Sequence, residues 1–250
     1  MARILRHESS LSRQRRALET ELRRTPWLRP LVWTPALLVA LFALLAHSLS
    51  VPARVALAVL PPLLAFGYEW RLREIAAESK FLEGGRSGER RLADRFADQL
   101  ADDHLILNDL DLRIAHERFQ IDHLILAPSG IWIVESKYWA GTLSGDVADR
   151  TWLQTRPRRP SVRVKSPLFQ VLRQRDMFLA LFNTGLPEEH VHALAVFTHP
   201  HVTLDISRNR DQALLIKAAI RLLNDRCFDP PVWTPEAMQA LADRILATQS

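Results

Sequence analysis

The stretch Gln120-Ile121-Asp122-His123-Leu124-Ile125-Leu126-Ala127-Pro128-Ser129-Gly130-Ile131-Trp132-Ile133-Val134-Glu135-Ser136-Lys137 decides the fold. Two apolar runs flank Ala127-Pro128-Ser129-Gly130, which has turn chemistry, with proline second and glycine fourth. Each run has the length and apolar character of a buried strand, and the pair predicts an antiparallel hairpin. Folded about that turn, Asp122 falls opposite Glu135 to within about one residue. Side chains alternate along a strand, so Glu135 and Lys137 share a face. His123 is expected on the opposite face from Asp122, alongside Ile121 and Ile125, in a structural role.

Two carboxylates brought together between apolar strands repel, and each is costly to bury alone. A divalent cation offsets that cost, and oxygen ligands suit magnesium or manganese. A metal beside a lysine can activate water and steady charge on a phosphate, the chemistry of phosphodiester hydrolysis. The plain alternative is a Glu135–Lys137 ion pair at a strand end, which Asp122 in the facing strand makes the weaker reading.

Outward from the hairpin, the pattern predicts a helix over 89–101, strands over 104–112, 119–127, 131–137 and 192–198, and helices over 167–182, 211–224 and 235–247. Ser166-Pro167 and Thr234-Pro235 have the form of an N-cap followed by proline in the first helical turn. The order implies an α/β domain over 88–250. Glu89 shares a helical face with Leu92, Ala93, Phe96 and Leu100, which favours a place at the site. Acidic residues are also favoured in a first helical turn for dipole reasons alone. Gln170, in the first turn of the Ser166-Pro167 helix, either reaches the cleft or is solvated. Arg156, Arg158, Arg159, Arg163 and Lys165 either track a nucleic-acid backbone or form a solvated loop.

Upstream the chain changes character. Residues 1–29 hold eight arginines against three glutamates, which accounts for the whole net charge of +5; the rest is balanced. The high pI therefore says nothing about the α/β domain's partners. From Pro30 to Ala53 there is no charged residue, and Arg54 is the one charge before Glu69. Two apolar spans, about 30–49 and 51–70, predict a transmembrane helical hairpin with a tight turn at 47–50. Arginine on both outer flanks predicts a cytoplasmic N-terminus and a cytoplasmic domain, with a bacterial inner membrane as the expected bilayer. Residues 71–87 read as a charged connector, and the glycines of Glu83-Gly84-Gly85-Arg86-Ser87-Gly88 as a break before the next element.

One cysteine, Cys227, excludes an internal disulfide and a multi-cysteine zinc site, and it reads as a buried or half-buried thiol rather than a nucleophile. His199-Pro200-His201 has no third ligand at metal spacing, and the two histidines read as polar residues on the surface. No glycine-rich phosphate loop, serine triad or His-Glu-x-x-His motif is present.

Taken in order, Gly88-Glu89, Asn108-Asp109-Leu110, Gln120-Ile121-Asp122-His123, Pro128 to Lys137, Gly141-Thr142-Leu143-Ser144-Gly145, Trp152 and Ser166-Pro167-Leu168-Phe169-Gln170 resemble the NERD (nuclease-related) domain, a branch of the PD-(D/E)xK nuclease superfamily. The resemblance spans about residues 88–200. It implies a restriction-endonuclease-like mixed sheet flanked by helices. It implies Asp122 and Glu135 as metal ligands, Lys137 as catalytic lysine, Glu89 as the helix acid and Gln170 as the helix glutamine. The expected function is a membrane-anchored, Mg²⁺- or Mn²⁺-dependent nuclease acting on DNA. The alternative is a non-catalytic nucleic-acid-binding or scaffolding module held at the membrane.

Overall fold

The structure, a computed structural model, describes residues 3–6, 29–46, 48–207, 211–226 and 229–248, with backbone alone at 3–6, 77–84 and 86. Cys227, His47 and the arginines between 7 and 28 lie outside the described residues. The chain divides into two units, Leu11–Gly84 and the remainder.

The larger unit is a mixed α/β domain with two sheets. Among the described residues its strands are β1 (Arg3–Arg6), β2 (Leu105–Ile114), β3 (Glu117–Ala127), β4 (Gly130–Lys137), β5 (Gly141–Gly145), β6 (Thr151–Thr155), β7 (Val162–Lys165), β8 (Val191–Phe197), β9 (Val202–Ile206) and β10 (Ala213–Leu215). The main sheet runs β1-β2-β3-β4-β8-β10, and the second runs β7-β6-β5-β9. In the main sheet β2, β3 and β4 form an antiparallel meander, while β1, β8 and β10 join in parallel.

Helices cover both faces of the main sheet. Helix α3 (Pro167–Leu181) contributes Leu168, Val171 and Phe178 to one core, and α5 (Pro235–Ala247) contributes Met238, Leu241 and Ile245. Leu143 and Trp152 of the second sheet pack into that same core. On the other face, Leu92 and Phe96 at the end of α2 (Val51–Gln99) pack with Ala219, Ile220 and Leu223 of α4 (Ile216–Asp225). Local chemistry starts α3 and α5 as expected: the Ser166 and Thr234 side chains accept from Phe169 N and Ala237 N.

Several elements differ from the sequence reading. The stretch 211–224 does not begin as a helix. Ala213–Leu215 pairs with the free edge of β8 before α4 starts. An open sheet edge offers hydrogen bonds that outweigh the weak helical preference of three residues. The glycines at 84, 85 and 88 do not break the chain, since α2 continues through them. A glycine costs a helix interior only about 1 kcal/mol relative to alanine. Gly88 has a packing reason: a Cβ there would lie 2.5 Å from Thr198 Oγ1 and 2.9 Å from Tyr138 Cβ. Arg3–Arg6, expected only as part of a basic segment, forms an edge strand on β2.

The smaller unit carries α1 (Arg29–Leu45) and the first part of α2. Among the described residues, Val51–Ala76, 26 residues long, is long and apolar enough to cross a bilayer, with mean hydropathy 1.5 in its most apolar 18-residue window. The first span, expected to reach residue 49, ends as a helix at Leu45, so its described part, Arg29–Leu45, is short for a bilayer crossing. Two contacts set α1 antiparallel to α2. Arg54 donates to the carbonyls of Ala43 and Leu44, and Arg29 pairs with Glu69 at 3.1 Å. Arg54 thus satisfies carbonyls that a helix end leaves without partners, at the negative end of the helix dipole.

Candidate functional site

The β3–β4 turn places the site. Ala127 pairs with Gly130 and His123 with Val134, so the next rung sets Asp122 level with Glu135. Gly130 has φ 147°, and a Cβ there would meet His190 O at 2.4 Å, so glycine alone fits this turn.

Asp122 sits where strand alternation slips. Leu124 and Leu126 pack in the core under α3, but so do Phe119 and Ile121, which are of the opposite parity. The partner strand shifts likewise between Leu107 and Leu110, where Asp109 takes φ 57°. Ile121 therefore does not lie alongside Ile125, as simple alternation requires. His123 does point away from the acids. It meets Phe96 edge-on at 5.8 Å and shares a hydrogen bond with Asn108 Oδ1 at 2.7 Å. Burial lowers its pKa to about 3, so it is a neutral, structural histidine at physiological pH.

Four charged groups converge. Asp122 and Glu135 are both buried, 8% and 2% exposed. Asp122 Oδ2 accepts from Ser136 N at 2.8 Å and Ser136 Oγ at 3.2 Å. Glu135 Oε1 accepts from Lys137 Nζ, and Glu135 Oε2 accepts from Gln174 Nε2 at 2.8 Å. Glu89, at the base of the packed end of α2, adds its field to both Asp122 and Lys137.

The electrostatics follow from that crowding. Burial first, then the charges of Glu135 and Glu89, raise the Asp122 pKa well above its usual range, against the opposing pull of Lys137 and the Ser136 N–H. For Lys137, burial pulls the pKa down, but Glu135, Asp122 and Glu89 together outweigh it and the value rises. Lys137 is therefore a held cation, and three carboxyl groups share it.

Gln174 is a site neighbour that the sequence reading missed. It also donates to Gln120 O at 2.8 Å, tying α3 to β3 and β4 at once. Gln170, one turn earlier, does not make this contact but borders an adjoining cleft. The signal was available: Gln174 is a polar residue on the stripe of Leu168, Val171 and Phe178, all buried.

The basic residues disperse. Lys165 lines the cleft beside Gln170. Arg156, Arg158, Arg159 and Arg163 lie along the β6–β7 hairpin, with Arg158 at φ 59° in its turn. His199 meets Tyr138 at 4.6 Å and His201 at 5.7 Å between ring centroids, tilted in both cases. Among the described residues no group of three or more His, Cys, Asp or Glu side chains is spaced to hold a metal ion. Asp122 and Glu135 nevertheless fit a divalent cation by charge, because Lys137 balances only one of three converging carboxyl groups.

No curated protein matches the chain, and no solved structure does. Residues 84–198 match the family model of the nuclease-related domain, a stretch that holds Glu89, Asp122, Glu135, Lys137 and Gln174. This stretch thus carries a match to the NERD domain, and NERD belongs to the PD-(D/E)xK-like nuclease superfamily.

Proposed function

We propose that the domain is a divalent-metal-dependent nuclease that hydrolyses DNA phosphodiester bonds while held at a membrane. The observation that carries this is the convergence of Asp122, midway along β3, and Glu135, near the end of β4, on Lys137, with Glu89 of α2 adding its field. Such an arrangement is costly for stability and is expected where charge must be held for chemistry. Asp122 and Glu135 would hold Mg²⁺ or Mn²⁺, which when bound supplies a Lewis acid and lowers the pKa of a coordinated water.

The chain's own residues do the rest. Ser136 fixes the Asp122 carboxylate through Oδ2, and Gln174 fixes Glu135 through Oε2. Lys137 stays protonated at neutral pH, so it acts as a hydrogen-bond donor and a positive charge near the attacked phosphate rather than as a base. Glu135 first, then Asp122 and last Glu89, keep Lys137 charged against its burial, and Glu89 adds to the negative field that draws a cation in.

The membrane part of the proposal rests on the smaller unit. Leu37, Leu41, Phe42, Leu60, Leu63, Leu64 and Phe66 are exposed there, which water disfavours. β1 and β2 belong to one sheet, which supports placing both flanks of the apolar segment on one side of a bilayer, with an even number of crossings. We place a two-helix anchor in a bacterial inner membrane with both flanks cytoplasmic, on the side that arginine favours. Helix α1, at roughly 25 Å by its rise per residue, crosses only with some local thinning.

The test is cleavage of labelled linear and circular DNA by the full chain in detergent, with Mg²⁺, Mn²⁺ or EDTA, beside Glu135→Ala and Lys137→Ala. Cleavage that needs metal and is lost in both variants supports the nuclease. A folded wild type that cleaves nothing across metals and substrates turns the reading to a membrane-held DNA-binding module.

A further inference from the structure

Beside the four charged groups lies a cleft of about 600 Å³ that the chemistry above does not use. This volume falls within the roughly 300–1,000 Å³ of small-ligand sites. Its walls carry Arg150, Lys165 and Arg173, with no Asp or Glu among the described residues that line it. Three cations without an acid is an asymmetry in a chain whose charge beyond residue 29 is balanced. One residue separates the cleft from the acids: Gln174 borders it and donates to Glu135.

Phe169 gives the cleft its character. It is 41% exposed although it sits in the first turn of α3, next to fully buried Leu168. The Arg150 guanidinium lies 5.3 Å from its ring centroid. An aromatic face at a cleft mouth flanked by arginine suits stacking of a base, with phosphates on either side meeting the cations. Arg173 also pairs with Glu117, but the pair is exposed and exchanges readily for a phosphate. The first turn of α3, with Ser166, Phe169 and Gln170 lining the cleft, adds the positive end of a helix dipole.

A base stacked within a duplex cannot reach such a ring. We infer that this cleft is a subsite for one unpaired nucleotide next to the scissile phosphate, so that the substrate is single-stranded DNA or a frayed end. The inference rests on the nuclease reading for the position of the scissile phosphate, but not for the binding itself.

The experiment is fluorescence anisotropy of the full chain in detergent with a labelled 20-mer, single-stranded or as a blunt duplex, in EDTA so that nothing is cut. Wild type is expected to bind the single strand more tightly. Phe169→Ala is expected to weaken single-strand binding by about tenfold, the size of one base–aromatic stack, with less than a twofold effect on duplex. Phe169→Leu, which keeps apolar bulk without a π face, should behave like the alanine variant, and Phe169→Trp should retain or tighten binding. Equal losses on both substrates, or no loss on either, overturn the subsite. Because the readout is binding without metal, absence of cleavage defeats the nuclease reading alone. Metal-dependent cleavage with no single-strand preference defeats this inference alone.

Discussion

Replacing Gln174 with methionine removes one amide from the interior and leaves the side-chain shape nearly unchanged. Two hydrogen bonds go with it, to Glu135 Oε2 and to Gln120 O, both at 2.8 Å. The first is charge-assisted and contributes about 1.5–3 kcal/mol, and the second about 0.5–1.5 kcal/mol. Part of that returns, because Gln174 Oε1 is buried without a partner in the wild type and methionine has no such atom. The net loss is about 2 kcal/mol, with Glu135 left short of a donor in a buried position. In a domain of this size that lowers the melting temperature by about 4–8 °C. The assay is thermal unfolding of the full chain in detergent at neutral pH without divalent cation, followed by tryptophan fluorescence. Gln170→Met is the matched control. Gln170 is half-buried at the cleft, so the same change there should cost no more than about 0.5 kcal/mol. If Gln174→Met melts within about 1 °C of wild type, or if Gln170→Met loses as much, the assignment of Gln174 as the residue that holds Glu135 is wrong.

Asp122→Asn keeps acceptors for Ser136 but cannot ionise. Because the fold raises the Asp122 pKa, the folded chain holds a proton that the unfolded chain releases above its ordinary 3.8, and wild-type stability falls as pH climbs through the folded value. Asp122→Asn should therefore be the more stable protein at neutral pH without metal, with the gap closing as pH falls to 3.8; a gap independent of pH in denaturant titrations contradicts this. His123 has the opposite sign. Its pKa falls from 6.5 to about 3, so its stabilising contribution is complete above pH 6.5 and is lost as pH drops toward 3, at up to about 1.4 kcal/mol per pH unit. His123→Gln should flatten the acid limb of stability between those values, and an unchanged limb would show that other groups govern it. The glycines of α2 should separate sharply. Gly88→Ala forces a methyl against Thr198 and Tyr138 and should cost about 1–3 kcal/mol, whereas Gly85→Ala meets nothing within 4 Å and should gain about 0.5–1 kcal/mol. Equal effects in chemical unfolding would disprove the packing at Gly88.

Much of the main sheet was legible because its determinants are local. The turn at Pro128-Ser129 and the apolar runs beside it carry both strands and their register, and that register sets Asp122 level with Glu135. The caps at Ser166 and Thr234 likewise need only neighbouring backbone. The second sheet was not legible. β5, β6, β7 and β9 are four or five residues each, with partly exposed faces, and each exists because a partner strand supplies its hydrogen bonds. β10 needs the edge of β8, and β1 needs the edge of β2 across about a hundred residues of chain.

The candidate site divides the same way. Spacing along one strand put Glu135 and Lys137 on one face, and the hairpin turn brought Asp122 to them; these are short-range constraints that a sequence states outright. The slip at Asp109 and Asp122, the choice of Gln174 over Gln170, and the gathering of Arg150, Lys165 and Arg173 around Phe169 depend on how α3 and the second sheet settle over the main sheet. Local periodicity determined which residues could face the core. Only tertiary packing, which brings together side chains distant in sequence, decided which polar atoms meet there.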